Sequence, residues 1–245
     1  MGPFFVGLYR KIEGGRSMSE LFSQRITGWV ILLFGRPGSG KDTQGEVLRN
    51  LLIKSLGLDE QKVSYFITSL HLDWRSQASD VLAGRIKHFR SLRDSGVLLP
   101  PQLVCEVVEE YFDCLLEDTT VILNGFPRSY EQGKDLAKII GHKKMVAILL
   151  DLPRGEAVDR LHHRNQGRVD DTPEKITIRQ NVFEADLPGI MQSLQENRVP
   201  ILEVGASGPS EEVSARIESD LRRFFTTPAE FHSQPQVFIP GSVAM

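Results

Sequence analysis

The residue types best suited to chemistry stand together in one segment, Gly35-Arg36-Pro37-Gly38-Ser39-Gly40-Lys41. Glycines let backbone N–H groups curl around a phosphate without side-chain clashes, and a nearby lysine adds positive charge. An apolar run precedes the segment and an amphipathic pattern follows it, so the positive end of a helix would point at the anion. The pattern predicts a phosphate-binding loop in which Lys41 reaches the outer phosphates of a nucleotide. A glycine-rich turn with a solvated lysine is the alternative.

The residues after Lys41 depart from the usual pattern of such loops. A generic phosphate loop carries Ser or Thr directly after the lysine, because that hydroxyl coordinates Mg²⁺. Here Asp42 takes that position, and Thr43 supplies a hydroxyl one place later. A carboxylate beside bound phosphates repels them unless its charge is compensated. We therefore expect Asp42 to have a partner of its own.

Short apolar runs alternate along the chain with segments of helical periodicity, which is typical of a parallel sheet covered by helices. The runs predict strands at residues 29–34, 63–68, 119–123, 145–150 and 201–204. Between them, apolar residues recur at helical spacing, most clearly at Leu103, Val107 and Tyr111, and these stripes are expected to face the core. The sequence therefore predicts an α/β fold.

Two features around residue 165 concern helices. Thr172 followed by Pro173 predicts an N-cap and a first helical residue, and Pro188 inside that helix predicts a kink. His162 and His163 are adjacent, and adjacent residues of a helix point in different directions. We therefore expect both histidines to be solvated and not to bind a metal together.

The composition excludes several classes of protein. The chain has 245 residues, of which 40% are hydrophobic, so it can bury a core and is not disordered throughout. Its 29 basic and 32 acidic side chains give a net charge of −3, which argues against a general nucleic-acid binder. The longest apolar runs are too short to span a membrane, and two cysteines are too few for a disulfide framework. A reducing, cytoplasmic setting is expected.

The two ends of the chain differ in composition from its middle. Residues 1–28 show no clear period, so they are predicted to form a loosely ordered extension. Residues 226–245 carry proline, serine and glutamine around isolated apolar residues, which predicts a flexible tail. The folded domain is therefore expected at residues 29–225.

The phosphate loop resembles that of the adenylate kinases. That family has the loop Gly-x-Pro-Gly-x-Gly-Lys-Gly-Thr-Gln, which residues 35–44 match except at Asp42. The segment Asn124-Gly125-Phe126-Pro127-Arg128 is similar to the family's Asp-Gly-Phe-Pro-Arg, and Gln132 stands at the position that reads adenine in the family.

Two further segments continue the resemblance in the same order. The turn Gly96-Val97-Leu98-Leu99-Pro100 is similar to the family's Gly-x-Leu-Val-Pro turn. The family's lid arginines have counterparts at Arg160, Arg164, Arg168 and Arg179, with Asp170 and Asp171 as residues that would orient them. The resemblance covers about residues 29–225.

The resemblance implies a three-layer α/β/α P-loop kinase fold with a five-stranded parallel sheet. It further implies a helical part that binds a nucleoside monophosphate at about residues 68–100, and a short lid at about residues 164–172 without zinc-binding cysteines. The implied reaction is the reversible transfer of the γ-phosphoryl group of ATP to AMP, with Mg²⁺. The implied partners are small nucleotides, with neither nucleic acid nor membrane, and the family-level expectation is a monomer.

Residue roles follow from the same resemblance. Lys41, Arg128, Arg164, Arg168 and Arg179 would be catalytic. The ATP site would comprise Gly35, Pro37, Gly38, Ser39, Gly40, Lys41, Asp42, Thr43, Arg160, Arg164 and Ala206. The acceptor site would comprise Thr68, Arg75, Leu99, Gly125, Arg128, Gln132, Arg168 and Arg179. Asp42, Thr43 and Asn124 would hold the metal through water.

Three departures from the family pattern bear on these roles. Asn124 replaces the aspartate that holds water on the metal, and Asp42 replaces a glycine. We hypothesise that the two are linked, with Asp42 supplying the missing carboxylate; a salt bridge from Asp42 to Arg36 is the alternative. The third departure is the segment at residues 68–75, which is one residue longer than the family's Ser-Thr-Gly-Asp-x-Leu-Arg and lacks its glycine.

These departures keep other functions open. One is a non-catalytic or weakly active nucleotide-binding protein on the same fold. Another is a kinase for a different monophosphate, and a weaker one is a kinase for a non-nucleotide alcohol. The arginine set argues against the first, because an inactive binder has no need of cations on both sides of a transferred group.

Overall fold

A computed structural model describes residues 24–163 and 172–226 of the chain. Its centre is one sheet of five parallel strands in the order β2-β3-β1-β4-β5. The strands are β1 (Val30–Gly35), β2 (Val63–Ile67), β3 (Thr120–Asn124), β4 (Met145–Asp151) and β5 (Ile201–Gly205). Each lies within two residues of its predicted position. The predicted fold class is confirmed.

Helices connect the strands and cover both faces of the sheet. They are α1 (Lys41–Asn50), α2 (Thr68–Arg75), α3 (Val81–His88), α4 (Arg90–Asp94), α5 (Pro101–Asp113), α6 (Tyr130–Lys134), α7 (Leu136–Ile140), α8 (Arg154–His162), α9 (Pro173–Glu196) and α10 (Ser210–Thr226). A π-helical turn (Leu51–Ser55) follows α1, and a 3-10 turn (Glu60–Lys62) precedes β2.

The two faces of the sheet bury separate apolar clusters, because alternate strand residues point to opposite sides. Leu32, Phe66 and Leu123 face α5, α7 and α9. Ile31 and Ile148 face the opposite side, where α1 and α10 cover them. Strands buried on both faces are near-continuous apolar runs, which is why the sequence pattern identified them.

The register of the strands places the candidate site at one edge of the sheet. Leu33 in β1 pairs with Asn124 in β3, and Asn124 also pairs with Ile67 in β2. Gly35 pairs with Leu150 in β4. The phosphate loop, the segment after Asn124 and the start of α2 therefore leave the sheet side by side. Ligands of open α/β sheets bind at this carboxyl edge.

Helix α9 includes Pro188, where the proline removes one helical hydrogen bond, and the kink expected there stays a prediction. One detail differs from the sequence expectations. Residues 24–28, which were assigned to the extension, lie in the described part, and Ile26 among them is completely buried. Residues 1–23 and 227–245 lie outside the described residues. Within the described part, no helix is both long enough and apolar enough to cross a bilayer.

Candidate active site

The phosphate loop is packed so closely that two of its glycines admit no side chain. Gly38 has φ of 90°, and a Cβ atom there would lie 2.5 Å from the backbone oxygen of Ala157 in α8. A Cβ on Gly35 would lie 2.7 Å from the backbone oxygen of Leu150 in β4. The loop therefore takes its shape from two neighbouring elements, and only glycine fits at both positions.

Helix α1 presents its N-terminal end to this loop. Its N-cap is Gly40, which has a left-handed conformation and, among the described residues, no side-chain cap. Lys41 Nζ donates to the backbone oxygens of Gly35 at 2.7 Å and Arg36 at 2.9 Å. The first N–H groups of α1 and the Lys41 ammonium thus converge on the loop. This is the arrangement that binds anions at helix N-termini.

Asp42 and Asn124, two of the three departures from the family pattern, are in direct contact. Asn124 is 2% exposed, and its Nδ2 donates to Asp42 Oδ1 at 2.9 Å. The same Nδ2 donates to the Tyr65 hydroxyl at 2.9 Å, and that hydroxyl donates to the backbone oxygen of Asp42 at 3.1 Å. Burial is the main cause of the raised pKa of Tyr65, so its hydroxyl stays neutral. The hypothesis that positions 42 and 124 are linked is supported by this contact.

The oxygen atoms here fit a hard divalent cation. Asn124 Oδ1 is buried, and within residues 24–163 and 172–226 it receives no hydrogen bond. Asp42 adds a carboxylate, and Thr43 places a hydroxyl in the same turn of α1. Mg²⁺ is usually held by one or two carboxylates, several waters and substrate phosphates. No group of three His, Cys, Asp or Glu side chains among the described residues could hold a metal without such help.

Arg36 has partners other than the one considered from the sequence. Its Nη1 donates to Glu184 Oε1 and to Gln180 Oε1, each at 3.0 Å. Gln180 is completely buried and also donates to the backbone oxygen of Pro37 at 2.9 Å. Among the described residues, the partners of the Arg36 guanidinium are therefore on α9, and the alternative of a salt bridge between Asp42 and Arg36 is wrong. Sequence reasoning missed Gln180 and Glu184. The one feature that could have indicated them is that they lie on the same predicted helix as Arg179.

Gln44 ties the other side of the loop to the last helix. Its Nε2 donates to the backbone oxygen of Ser210 at 3.0 Å, and its Oε1 accepts from the Ser214 hydroxyl at 2.8 Å. Gln44 is buried at 3% exposure, so both ends of its amide are satisfied inside the protein. The start of α1 is thereby held from α10 as well as from α9.

Two residues expected near the adenine of ATP lie together. Arg160 Nη2 donates to the backbone oxygen of Ala206 at 3.0 Å and to Glu156 Oε1 at 2.6 Å. Ser207 donates to Glu156 Oε2 at 2.6 Å, and this hydrogen bond is the main cause of the lowered pKa of Glu156. The guanidinium of Arg160 is therefore held in place beside the loop that follows β5.

On the predicted acceptor side, α2 begins directly at the sheet. Thr68 is buried, and its hydroxyl donates to the backbone oxygen of Asn124 at 2.8 Å. Leu70 and Trp74 lie one helical turn apart and are 58% and 69% exposed. The segment at residues 68–75, where the family has a glycine-containing loop, is thus helical throughout. The hydroxyl of Thr68 ties the start of that helix to the end of β3.

Arg75 is engaged by two carboxylates. Its guanidinium lies 2.7 Å from Glu110 Oε2 in α5 and 2.9 Å from Asp80 Oδ2, the N-cap of α3. Its side chain is only 12% exposed. The hydrogen bond to Glu110, followed by that to Asp80, raises the pKa of Arg75 above its ordinary value. A bound phosphate at Arg75 would have to compete with both carboxylates.

Arg128 and Gln132 form one unit after β3. Gln132 is 1% exposed, and its Oε1 accepts from the Arg128 backbone N–H at 2.7 Å. The exposed Arg128 side chain donates through Nε to the Gly125 backbone oxygen at 2.8 Å. Gly125 has φ of 78°, and a Cβ there would lie 2.7 Å from Arg128 Nη2. These contacts hold the backbone of Arg128 and the Nε end of its guanidinium beside the end of β3.

The remaining predicted residues are distributed as follows. Leu99 is buried and lines a small cleft with Asp73, Ser76, Ile86, Lys87 and Arg90. Arg179 lies beside the turn at Gly96, since a Cβ there would be 3.3 Å from Arg179 Cγ. His162 and His163 are exposed. Arg164, Arg168, Asp170 and Asp171 lie outside the described residues, as does the predicted lid apart from Thr172.

Known proteins of similar sequence are nucleotide kinases by name. The adenylate kinase of Phocaeicola vulgatus is 32% identical over 167 residues, which cover 63% of this chain and 78% of that protein. The adenylate kinase of Bacteroides thetaiotaomicron is 31% identical with the same coverage. The UMP-CMP kinase of Prunus armeniaca is 27% identical over 189 residues, 77% of this chain and 76% of that protein. No protein-family model matches the chain.

Proposed function

This chain belongs to the adenylate kinase family, and from that premise we propose that it transfers the γ-phosphoryl group of ATP to a nucleoside monophosphate, AMP in the first place. The observation that carries the proposal is the phosphate loop, with Lys41 over it and Arg128 leaving the same edge of the sheet. An ATP-binding loop beside a second cationic group is what transfer between two phosphates requires.

The chemistry asks the protein mainly for positioning. An oxygen of the acceptor phosphate forms a bond to the γ-phosphorus while the bond from that phosphorus to the bridging oxygen breaks, and ADP departs. The attacking oxygen already carries negative charge, so no general base is needed. Lys41 and Arg128 would offset the charge that the approaching phosphates bring together. Arg164, Arg168 and Arg179 remain predicted to act on the transferred group.

The oxygen donors around Asp42 support a role for Mg²⁺. Asp42, Thr43 and Asn124 would hold its water molecules, and the bound ion would neutralise part of the phosphate charge. The observation behind this assignment is that Asn124 Oδ1 is buried and accepts no hydrogen bond from the residues that the structure describes.

The adenine of ATP would lie against the surface that Arg160 and the loop at Ala206 form together. The hydrogen bond between these two residues supports the assignment. The planar guanidinium of Arg160 could stack on the base.

A second candidate is a kinase for a monophosphate other than AMP. The observation that favours it is the acceptor side, where α2 replaces the family's glycine-containing loop and Arg75 is paired with Glu110 and Asp80. Gln132, predicted to read adenine, already uses its Oε1 on the Arg128 backbone. The acceptor base is therefore the part of the function most open to experiment.

A coupled assay of ADP formation tests both candidates. The purified protein is supplied with ATP, Mg²⁺ and one of AMP, CMP, UMP, GMP or dTMP. We expect turnover with AMP, abolished in Arg128→Ala and retained in Arg223→Ala, which removes an arginine from the far end of α10. Turnover with another monophosphate alone would identify the second candidate. ATP binding with no turnover on any acceptor would contradict both and favour a non-catalytic binding protein.

We propose further that the protein is a cytoplasmic monomer. Both cysteines, Cys105 and Cys114, are free thiols, which is usual in a reducing compartment. Size-exclusion chromatography with light scattering would test the monomer directly.

A further inference from the structure

Tyr65 contacts both Asp42 and Asn124, two residues at the phosphate edge of the sheet that depart from the family pattern. Its hydroxyl accepts from Asn124 Nδ2 at 2.9 Å and donates to the Asp42 backbone oxygen at 3.1 Å. Asn124 in turn donates to Asp42 Oδ1. The three residues come from β2, β3 and α1, so they form a closed cycle of hydrogen bonds between three elements at the phosphate edge.

The chemistry of the groups determines the direction of every bond in this cycle. An ionised carboxylate only accepts hydrogen bonds, so Asn124 must turn its NH₂ group toward Asp42. A neutral tyrosine hydroxyl can accept from the second N–H of that amide while donating its own hydrogen to the Asp42 carbonyl. With both N–H groups used, Oδ1 is left as the one hydrogen-bonding atom of Asn124 without a donor among the described residues. Asp42 thus sets the orientation of the amide, and Tyr65 holds the amide in that orientation through its second N–H.

Gly45 leaves room for the Tyr65 ring because it has no side chain. It lies inside α1, where glycine weakens a helix relative to alanine. A Cβ at this position would lie 2.2 Å from the Tyr65 hydroxyl oxygen and 2.4 Å from Cζ. A locally unfavourable residue that makes room for a specific contact indicates a functional constraint.

We propose that Tyr65 is a positioning residue for the metal–nucleotide complex: it holds the Asn124 amide so that Oδ1, together with the Asp42 carboxylate, receives the water shell of the cation that accompanies ATP. The inference rests on the proposed function, because it assumes that ATP and its cation occupy the phosphate loop. It adds a residue from β2 to the site that the loop and Asn124 form.

Direct measurement of metal binding tests the role of Tyr65. Mn²⁺, which takes the same oxygen ligands, is titrated into protein with ATP and followed by electron paramagnetic resonance, while ATP binding without metal is followed by calorimetry. For Tyr65→Phe we expect Mn²⁺ affinity in the presence of ATP to fall about tenfold, a loss in the range of one buried hydrogen bond and its unpaired partner. Metal-free ATP affinity should stay within twofold, since the backbone of the loop is untouched.

A matched control is Tyr111→Phe. Tyr111 is also a partly buried tyrosine, with its hydroxyl bonded to Ser64 and its pKa raised by burial, but it packs in the core on α5. This variant should bind Mn²⁺ as the wild type does. A second variant, Gly45→Ala, displaces the Tyr65 ring while keeping its hydroxyl, and it should reproduce the weaker Mn²⁺ binding.

Wild-type Mn²⁺ affinity in Tyr65→Phe, or an equal loss in Tyr111→Phe, would overturn the inference. Absence of ATP binding by the wild type would overturn the proposed function and the inference together. Binding of Mn²⁺ and ATP without transfer to any monophosphate would contradict the kinase alone, and the role of Tyr65 would still be decided by the titration.

Discussion

The donor side and the acceptor side of this site are built in different ways. On the donor side, backbone atoms form the phosphate loop. Hydrogen bonds of Gln180, Arg36 and Gln44 tie the loop and the start of α1 to α9 and α10. On the acceptor side, a short helix exposes Trp74, and Arg75 is bound by carboxylates of this chain. A loop that binds phosphate through its backbone tolerates few substitutions, since only glycine fits at positions such as Gly35 and Gly38. It would contact the phosphates that all nucleotides share. Side chains on a small helix can be exchanged, and we therefore expect selectivity for the acceptor to reside there.

Removal of the Lys41 ammonium should have the largest effect, because it lies over the loop where the phosphates would bind. For Lys41→Met we expect kcat to fall about 10³-fold, the scale for losing one preorganised charged donor. The measurement is the coupled ADP assay at saturating ATP. Lys62→Met, which removes a lysine paired with Asp118 on the surface, should retain wild-type kcat. A loss below tenfold in Lys41→Met would contradict the donor assignment.

The close packing of the donor side predicts that adding one methyl group to the phosphate loop will strongly destabilise the protein. Gly38→Ala should lower the free energy of unfolding by about 3 kcal/mol, because a strained φ adds to a clash with the Ala157 backbone. Gly40→Ala has nearly the same φ but no atom within 4 Å of its Cβ, so it should lose only about 1–2 kcal/mol. Denaturant titrations of the two variants compare them; equal losses would show that the contact with α8 does not constrain the loop.

A smaller effect is expected where Arg75 is held on the acceptor side. Glu110→Gln removes one charge that competes with an incoming phosphate for Arg75, so we expect the KM for the monophosphate to fall about threefold with the KM for ATP unchanged. Glu106→Gln is the matched control, since it lies one turn earlier on α5 and pairs with Arg85. An unchanged or higher KM in Glu110→Gln would mean that Arg75 only supports α2.

The smallest effect concerns His71, which lies on the inner side of α2 and stacks on Phe66. Burial lowers its pKa below the usual 6.5. The unfolded chain therefore binds more protons than the folded one as pH falls below about 6.5, and stability decreases over that range. Denaturant titrations at pH 7.5 and 5.5 should show a smaller loss for His71→Phe than for the wild type. His88→Phe, at an exposed position, should lose as much as the wild type.

The sequence was sufficient for the fold and for the donor loop because both rest on local patterns. Buried strands are continuous apolar runs, as in β4, and the loop glycines occur in one short segment. The contact between Asp42 and Asn124 could also be hypothesised from the sequence, since both positions depart from the pattern of the same family. Residues 164–171 lie outside the described residues, so the roles of Arg164 and Arg168 stay predictions.

The contacts that the sequence did not reveal join distant elements through ordinary residues. Tyr65 lies in a strand whose sequence looks like that of any half-buried strand. No pattern in the neighbouring sequence indicates its contact with Gly45. The carboxylates at Arg75 come from positions 5 and 35 residues away. Gln180 is a polar residue on a helix, and only the packing of that helix on the loop makes it buried.

The interlock between Gly45 and Tyr65 has a consequence for how this loop can change over generations. An alanine at position 45 would leave no room for the tyrosine ring, whereas a glycine there tolerates many residues at position 65. The small residue must therefore be in place before the tyrosine is accepted, and it cannot be lost while the tyrosine remains. Substitutions at positions 45 and 65 are therefore not independent, and the order in which they occur decides whether each is tolerated.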